Sequence, residues 1–487
     1  MDIFFKINSK KCQFALSFLS AVIYQLGYEL VITSGSFTVY FLSYIRYKQE
    51  WVDMNYGNLM RPVVLLFLSL FSPLSGPMEH FFGPRITIVL SSIVLEIGFI
   101  SLYFQRNIWI FYSLTFFLGI GVGLSLQVLV KNVCHYYPKK KGLISAIISS
   151  IGTLFGSSFS FLGELVINPK RESVINTQTE PYYSEEIANR SRLYFLFAII
   201  LIPISTIISF FLLYKYDSSC ETSVNNVKEP LNSHVLEGNN EDDNQPKNDN
   251  TEVRVSNSLS KTNNKQNIKK ALKNFRFWRN ILIIGAMPFI VWFESSTSRP
   301  YSVMIGVDGS IIGILSGTMS ILSCITNPIW AFCVDRFGFR PTMKIISIII
   351  ICLSIYFCIF MDNPIFYVIG LYISNVIRGG MISSLVPHMM EVYGLRYYLT
   401  IGGLGRLFTQ LFSFSAAVVS IVISIFRKGG NQLLLPYRIV SLIGVGFGIF
   451  GLILVFFETD EKFKFDDENE TDKHKEEQEL NKNNEEN

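Results

Sequence analysis

Long apolar runs separated by short polar breaks dominate the chain. In order they cover 14–45, 63–78, 86–103, 108–130, 143–166 and 193–214. After a polar gap come 278–298, 311–329, 343–361, 364–390, 399–425 and 434–457. Crossing ~30 Å of hydrocarbon takes about 20 helical residues, the length these runs approach or exceed. None alternates polar and apolar positions as the strands of a membrane barrel do. A helix satisfies every backbone amide within its own segment, which lipid demands. The pattern therefore predicts an all-α membrane protein of twelve transmembrane helices, in two pseudo-symmetric six-helix bundles. The first run is long and is expected to loosen near Gly35. Lys6, Lys10 and Lys11 lead straight into it with no small-residue cleavage site following, so it reads as a spanning helix rather than a signal peptide.

The gap and the tail differ in kind from the runs. Asn, Asp, Glu, Lys and Ser dominate both, with too little apolar surface to form a core. The expected organisation is an N-terminal six-helix bundle over 1–215, a disordered cytosolic linker over 216–274, a C-terminal six-helix bundle over 275–458 and a disordered acidic tail over 459–487. At the end of the linker, residues 267–276 (NIKKALKNFR) predict a short basic amphipathic helix on the membrane surface.

Charge and cysteine content exclude several classes. A formal net charge of +4 over 487 residues, with Lys and Arg scattered through loops, gives no face for nucleic acid. The seven cysteines include no CxxC pair and lie mostly in or beside apolar runs, so packing is expected rather than a disulfide framework, a metal site or a cofactor. No H-E-x-x-H, G-x-S-x-G or phosphate-loop motif occurs in a usable context, so neither an enzyme nor an ATP-driven pump is expected. Short-loop Lys and Arg are denser on the side of Lys10, Lys139, Lys140, Lys141, Arg336 and Arg340 than on the side of Arg46, Arg106 and Arg190. That bias predicts both termini in the cytosol, in the plasma membrane or an organelle membrane.

Two hinges stand out. Between the second and third runs of the second half, Asp335 and Arg336 are followed by Gly338 and Arg340. The first half has a weaker copy with Glu79, His80, Gly83 and Arg85. Glycines let two helices meet with little connecting chain, and an acid beside an arginine can form an ion pair holding one gating state. This repeated hinge resembles the loop signature of the major facilitator superfamily, with His80 where that family usually has Asp and Glu79 one position early. The stretch His135–Ala146, the Gly83-Pro-Arg85 triplet and Pro387–Gly394 are similar to the monocarboxylate and oxalate/formate carriers within it. Members of that branch commonly place Arg before Pro in the eighth helix to bind a substrate carboxylate; this chain has Asn327 before Pro328.

The resemblance implies alternating access around a central cavity lined by the first, fourth, seventh and tenth helices. Ionisable groups at that depth cost ~3 kcal/mol each, which makes them functional candidates. Arg378, flanked by Gly379 and Gly380, is the leading substrate ligand, with Arg299, Glu294, Tyr24, Gln25 and Asn327 beside it. Arg378 can equally form a structural ion pair with Glu29 or Glu294. Those two acids are the candidates for proton coupling, and the hinge residues form the gate. The expected function is secondary transport of a small organic anion, a monocarboxylate such as lactate or pyruvate, with a proton as co-substrate and the lipid bilayer as the surroundings of a monomer. The alternatives are an amino-acid or other small-solute carrier, or a transporter-like receptor.

Overall fold

The computed structural model describes residues 9–50, 52, 57–170, 172, 175–176, 181–214, 266–305, 309–426, 434–458 and 463. The predicted tail, apart from residue 463, and most of the predicted linker lie outside the described residues. Met1–Tyr214 and Phe275–Lys462 form one compact unit, and Lys215–Asn274 with Phe463–Asn487 a second. In the second unit residues 266–273 are helical, where the basic amphipathic helix is expected.

The larger unit is built from helices. Its first half contains α1 (Lys10–Thr33), α2 (Thr38–Arg46), α3 (Gly57–Phe71), α4 (Ser75–Phe104), α5 (Ile108–Cys134), α6 (Lys141–Ile167), α7 (Glu185–Arg190) and α8 (Arg192–Leu212). Its second half contains α9 (Phe275–Gly285), α10 (Phe289–Met304), α11 (Gly309–Phe337), α12 (Phe339–Phe360), α13 (Pro364–Val392), α14 (Gly394–Phe426) and α15 (Leu434–Phe456). Among the described residues nine helices are long and apolar enough to cross a membrane, and ten if the bent pair α9–α10 is one crossing. The 43-residue stretch Pro62–Phe104 breaks at Gly83 and so serves two of the predicted crossings. The 33-residue α14 fills the remaining place in the six-plus-six plan.

The first element of each half is broken. A 3-10 turn at Ser34–Phe37 separates α1 from α2, at the point where Gly35 loosens the run. The α9 and α10 axes differ by 45° across the break that holds Pro288, whose missing N–H cannot continue a helix. Each half also closes on its own apolar core. One core draws on residues between Leu30 and Ile202, the other on residues between Ile283 and Val455. Within the compact unit the halves meet where α6 packs on α11 and α3 on α14. The connection from α6 to α8 carries α7 and a short antiparallel pair, β1 (Ile175–Asn176) with β2 (Pro181–Tyr182).

Local signals repeat between the halves. Asn107 caps α5 by accepting the N–H of Trp109 at 3.0 Å, and Asn363 caps α13 by accepting that of Ile365 at 3.0 Å. The hinge glycines Gly83 and Gly338 hold φ of 76° and 89°, a region open to glycine at little cost. Four residues beyond each, a threonine hydroxyl donates back to the glycine carbonyl, Thr87 to Gly83 at 2.8 Å and Thr342 to Gly338 at 2.9 Å. The two halves are thus copies of one folding unit at the level of caps and turns.

Candidate functional site

Arg378 lies near the middle of α13, half-buried, and its guanidinium reaches two neutral partners. Nη1 donates to Ser295 Oγ of α10 at 3.1 Å, and Nη2 donates to Asn375 Oδ1 one turn earlier on α13. The amide of Asn375 in turn donates to Met319 O at 2.5 Å and to Ser323 Oγ at 2.6 Å, both on α11. Ser295 and Asn375 carry no charge, and both accept from the guanidinium and orient it. The result is a polar seam joining α10, α11 and α13 inside the second half.

Gly379 and Gly380 bring α11 close to this seam. A Cβ on Gly379 would run into Asn327 Oδ1, and one on Gly380 would lie 3.0 Å from the Trp330 ring. No side chain larger than hydrogen fits at Gly379 with Asn327 in place. Asn327 is buried, and among the described residues its Oδ1 has no hydrogen-bond partner. The side chain of Arg299, at the far end of α10, lies outside the described residues.

Glu294 precedes Ser295 but belongs to a separate network. Its Oε2 accepts the hydroxyl of Tyr367 on α13 at 2.8 Å, while its Oε1, equally buried, has no partner among the described residues. Tyr301 packs on Tyr367 and Tyr437 with ring centroids 4.8 and 4.4 Å apart, sealing this acid from water. Glu294 therefore bonds to Tyr367 rather than to Arg378.

In the first half, Gln25 Nε2 donates to Glu29 Oε1 at 3.2 Å, an i, i+4 pair on α1. The Glu29 carboxylate packs against Gly152 and Gly156 of α6, where added Cβ atoms would stand 2.9 and 2.8 Å from its oxygens. Tyr24 turns into the first bundle. Its hydroxyl donates to Ile88 O at 3.4 Å and accepts from Ser92 at 3.1 Å, beside a small cavity also lined by Tyr28, Ser125, Ser205 and Thr206. Of the sequence-derived candidates, the structure thus brings Gln25 to Glu29 and sets Asn327 against Gly379, the residue after Arg378. It holds Glu294 and Tyr24 in networks of their own.

The hinge residues spread over three kinds of contact. Asp335 reaches across to the other half, where its Oδ2 accepts the N–H of Leu143 at 2.9 Å at the start of α6. A carboxylate there satisfies an otherwise unpaired amide and faces the positive end of the helix dipole. Arg336 lies over the rings of Phe332 and Phe337, at 5.9 and 5.6 Å from their centroids. Arg85 Nε donates to Leu213 O just past α8 at 2.7 Å, and Arg340 Nη2 donates to Phe456 O at the end of α15 at 2.6 Å. Each half thus uses the second residue after its hinge glycine to cap its own last helix. Glu79 pairs with Lys131 at 2.5 Å within the first half, while His80 is exposed and edge-on to Phe81.

A profile of the Major Facilitator Superfamily matches residues 18–417. The chain belongs to the major facilitator superfamily. Among solved structures, the proton:xylose symporter XylE bound to 6-bromo-6-deoxy-D-glucose is similar, with a TM-score of 0.60 and 13% identity over 91% of this chain and 94% of that one. The nucleoside transporter NupG gives a TM-score of 0.53 and 13% identity over 90% of this chain and 99% of its own. At that identity both likenesses speak to the fold alone. No curated protein matches the sequence.

Membership in the superfamily makes this facilitator a multi-pass secondary transporter with a small-molecule substrate. The residues that sequence reasoning missed are Ser295 and Asn375, which accept from Arg378, and Ser323, which accepts from Asn375. Asn375 alone had a legible signal, because it stands three positions before Arg378 and so shares its helix face.

Proposed function

We propose that this facilitator moves a small organic anion, a monocarboxylate such as lactate or pyruvate, together with a proton. The observation that carries the reading is Arg378, its fork oriented by Ser295 and Asn375 in the seam of α10, α11 and α13. A planar, permanently charged guanidinium matches the two oxygens of a carboxylate. Asn327 adds a buried polar atom at the same level, in the place where the related carriers bear arginine. Glu29 and Glu294 are the proposed proton carriers, each a buried carboxylate on the first or seventh crossing. The two six-helix halves rock about this level, with the hinge side and both termini in the cytosol.

A second reading, a carrier of a neutral or zwitterionic solute such as an amino acid, has one observation in its favour. The polar groups around Arg378 are amides and hydroxyls, and Asn327 Oδ1 stands ready to accept a donor. Uptake of labelled lactate, pyruvate and amino acids into proteoliposomes, with and without an inward proton gradient, separates the two. Carboxylate uptake driven by the gradient and lost in Arg378→Ala is the expected result. Uptake at the wild-type rate in that variant refutes the assignment of the site.

A further inference from the structure

The face opposite the hinges carries two arginines that the transport cycle does not use. Arg106 lies in the short turn between α4 and α5, and Arg192 opens α8. Both guanidinium carbons stand close to one ring, that of Tyr44, at 6.0 and 5.9 Å from its centroid. Among the described residues each arginine donates through its Nε. Arg106 Nε donates to the Tyr44 hydroxyl at 3.0 Å, and Arg192 Nε donates to Tyr103 O at 3.2 Å, with its guanidinium 4.2 Å above the Tyr103 ring.

Among the described residues neither arginine makes an ion pair, and their terminal nitrogens have no acceptor. Two like charges held beside one aromatic ring repel each other, and among the described residues no anion offsets that cost. The aromatic and main-chain contacts fix where the two forks sit while leaving their outer nitrogens open, an arrangement suited to a tetrahedral oxyanion.

The surroundings say which oxyanion. From Pro84 to Phe104, α4 rises ~30 Å, the thickness of the hydrocarbon layer, so Arg106 falls at the polar boundary. Phe104, Trp109, Leu196 and Phe197, on the ends of the same three helices, are 70, 56, 42 and 46% exposed. Exposed aromatic and aliphatic side chains at this depth form the belt where acyl chains meet headgroups. A water-borne ion would need no such apolar flank.

We propose that Arg106 and Arg192, braced by Tyr44 and Tyr103, bind the phosphate of an anionic phospholipid whose acyl chains lie along α4, α5 and α8. The site stands apart from the seam around Arg378 and does not depend on what the protein carries.

Native mass spectrometry of the purified full chain in a neutral maltoside detergent tests this, with dioleoyl phosphatidylglycerol, dioleoylglycerol and inorganic phosphate added separately. Phosphatidylglycerol should be retained, whereas the phosphate-free diacylglycerol and the free ion should not. Arg106→Gln and Arg192→Gln should each weaken retention roughly tenfold, the effect of one lost charge-assisted bond. Tyr44→Phe, which keeps both charges and frees Arg106, should weaken it by a smaller factor while the protein stays monodisperse. Undiminished retention in either arginine variant overturns the proposal. Retention of diacylglycerol as strong as that of phosphatidylglycerol overturns it as well, and tight binding of inorganic phosphate alone would assign the site to a soluble ion.

Discussion

Asp335, near the end of α11, accepts the backbone N–H of Leu143 at 2.9 Å across 192 residues of sequence. One carboxylate thereby caps the first turn of a helix in the opposite half, and it does so on the face where both hinges lie. Under the proposed rocking of the two halves, opening that face breaks this cap.

Asp335→Ala should therefore weaken closure of the hinge side. A charged cap at a helix start contributes about 1 kcal/mol, which shifts a two-state population roughly fivefold. Cys134 is a buried free thiol at the end of α5, just before the start of α6, and reports on this region. In a variant with Cys134 as its only cysteine, maleimide labelling should accelerate about fivefold when Asp335 is replaced. An unchanged labelling rate would remove Asp335 from the gate.

The arginine caps make a thermodynamic prediction. Arg85→Ala and Arg340→Ala should each cost about 1 kcal/mol, the usual worth of a cation on a helix C-terminus. They act on different halves and share no partner, so the double variant should show the sum of the two losses within about 0.5 kcal/mol. Equilibrium unfolding in mixed micelles reads both. A strongly non-additive loss would mean that the hinges are coupled through more than their own halves.

Gly379 gives a double-mutant cycle. A methyl there meets Asn327 Oδ1, so Gly379→Ala alone should destabilise by about 1–3 kcal/mol through overpacking. Asn327→Ala removes the obstacle, and the double variant should recover most of the loss. Equal destabilisation of the single and double variants in thermal unfolding would show that the close approach of α11 and α13 is not the constraint.

A pH dependence follows from His135, which sits in the polar loop after α5. Burial, helped by the nearby Lys131 ammonium, lowers its pKa from 6.5 to about 4. Between those values the unfolded chain binds a proton that the folded chain does not, so stability rises with pH in this window. The contribution is complete above pH 6.5 and is lost as the pH falls toward 4. Thermal unfolding of wild type and His135→Gln from pH 4 to 7 should show a steeper acid-side decline for wild type. Parallel profiles would contradict the half-buried neutral imidazole.

The sequence carried the membrane fold plainly, because length and apolarity are local properties. The run from 14 to 45 could only be one crossing with a weak point, and its break falls at Ser34–Phe37. The hinge glycines were equally legible, since few other residues adopt positive φ at a sharp join. The contacts of the hinge side chains were not. An acid followed by arginines suggests a local ion pair, yet Asp335 reaches α6 while Arg340 reaches the end of α15. Both partners are backbone groups, which any sequence offers everywhere, so no residue pattern marks them. Glu458 makes the same point. It is the last residue of the expected second bundle, at the edge of the acidic tail, and it is fully buried between Arg276 and Arg279, at 2.9 and 2.6 Å.

Locking the halves together tests alternating access most directly. With other cysteines replaced, Gly142→Cys and Asp335→Cys place two thiols where the first half meets the second. Uptake of the solute carried by the wild type is then measured in proteoliposomes before oxidation, after oxidation and after reduction. Rocking of the two halves predicts that the disulfide abolishes uptake and that reduction restores it. Full-rate uptake with the cross-link intact would contradict it.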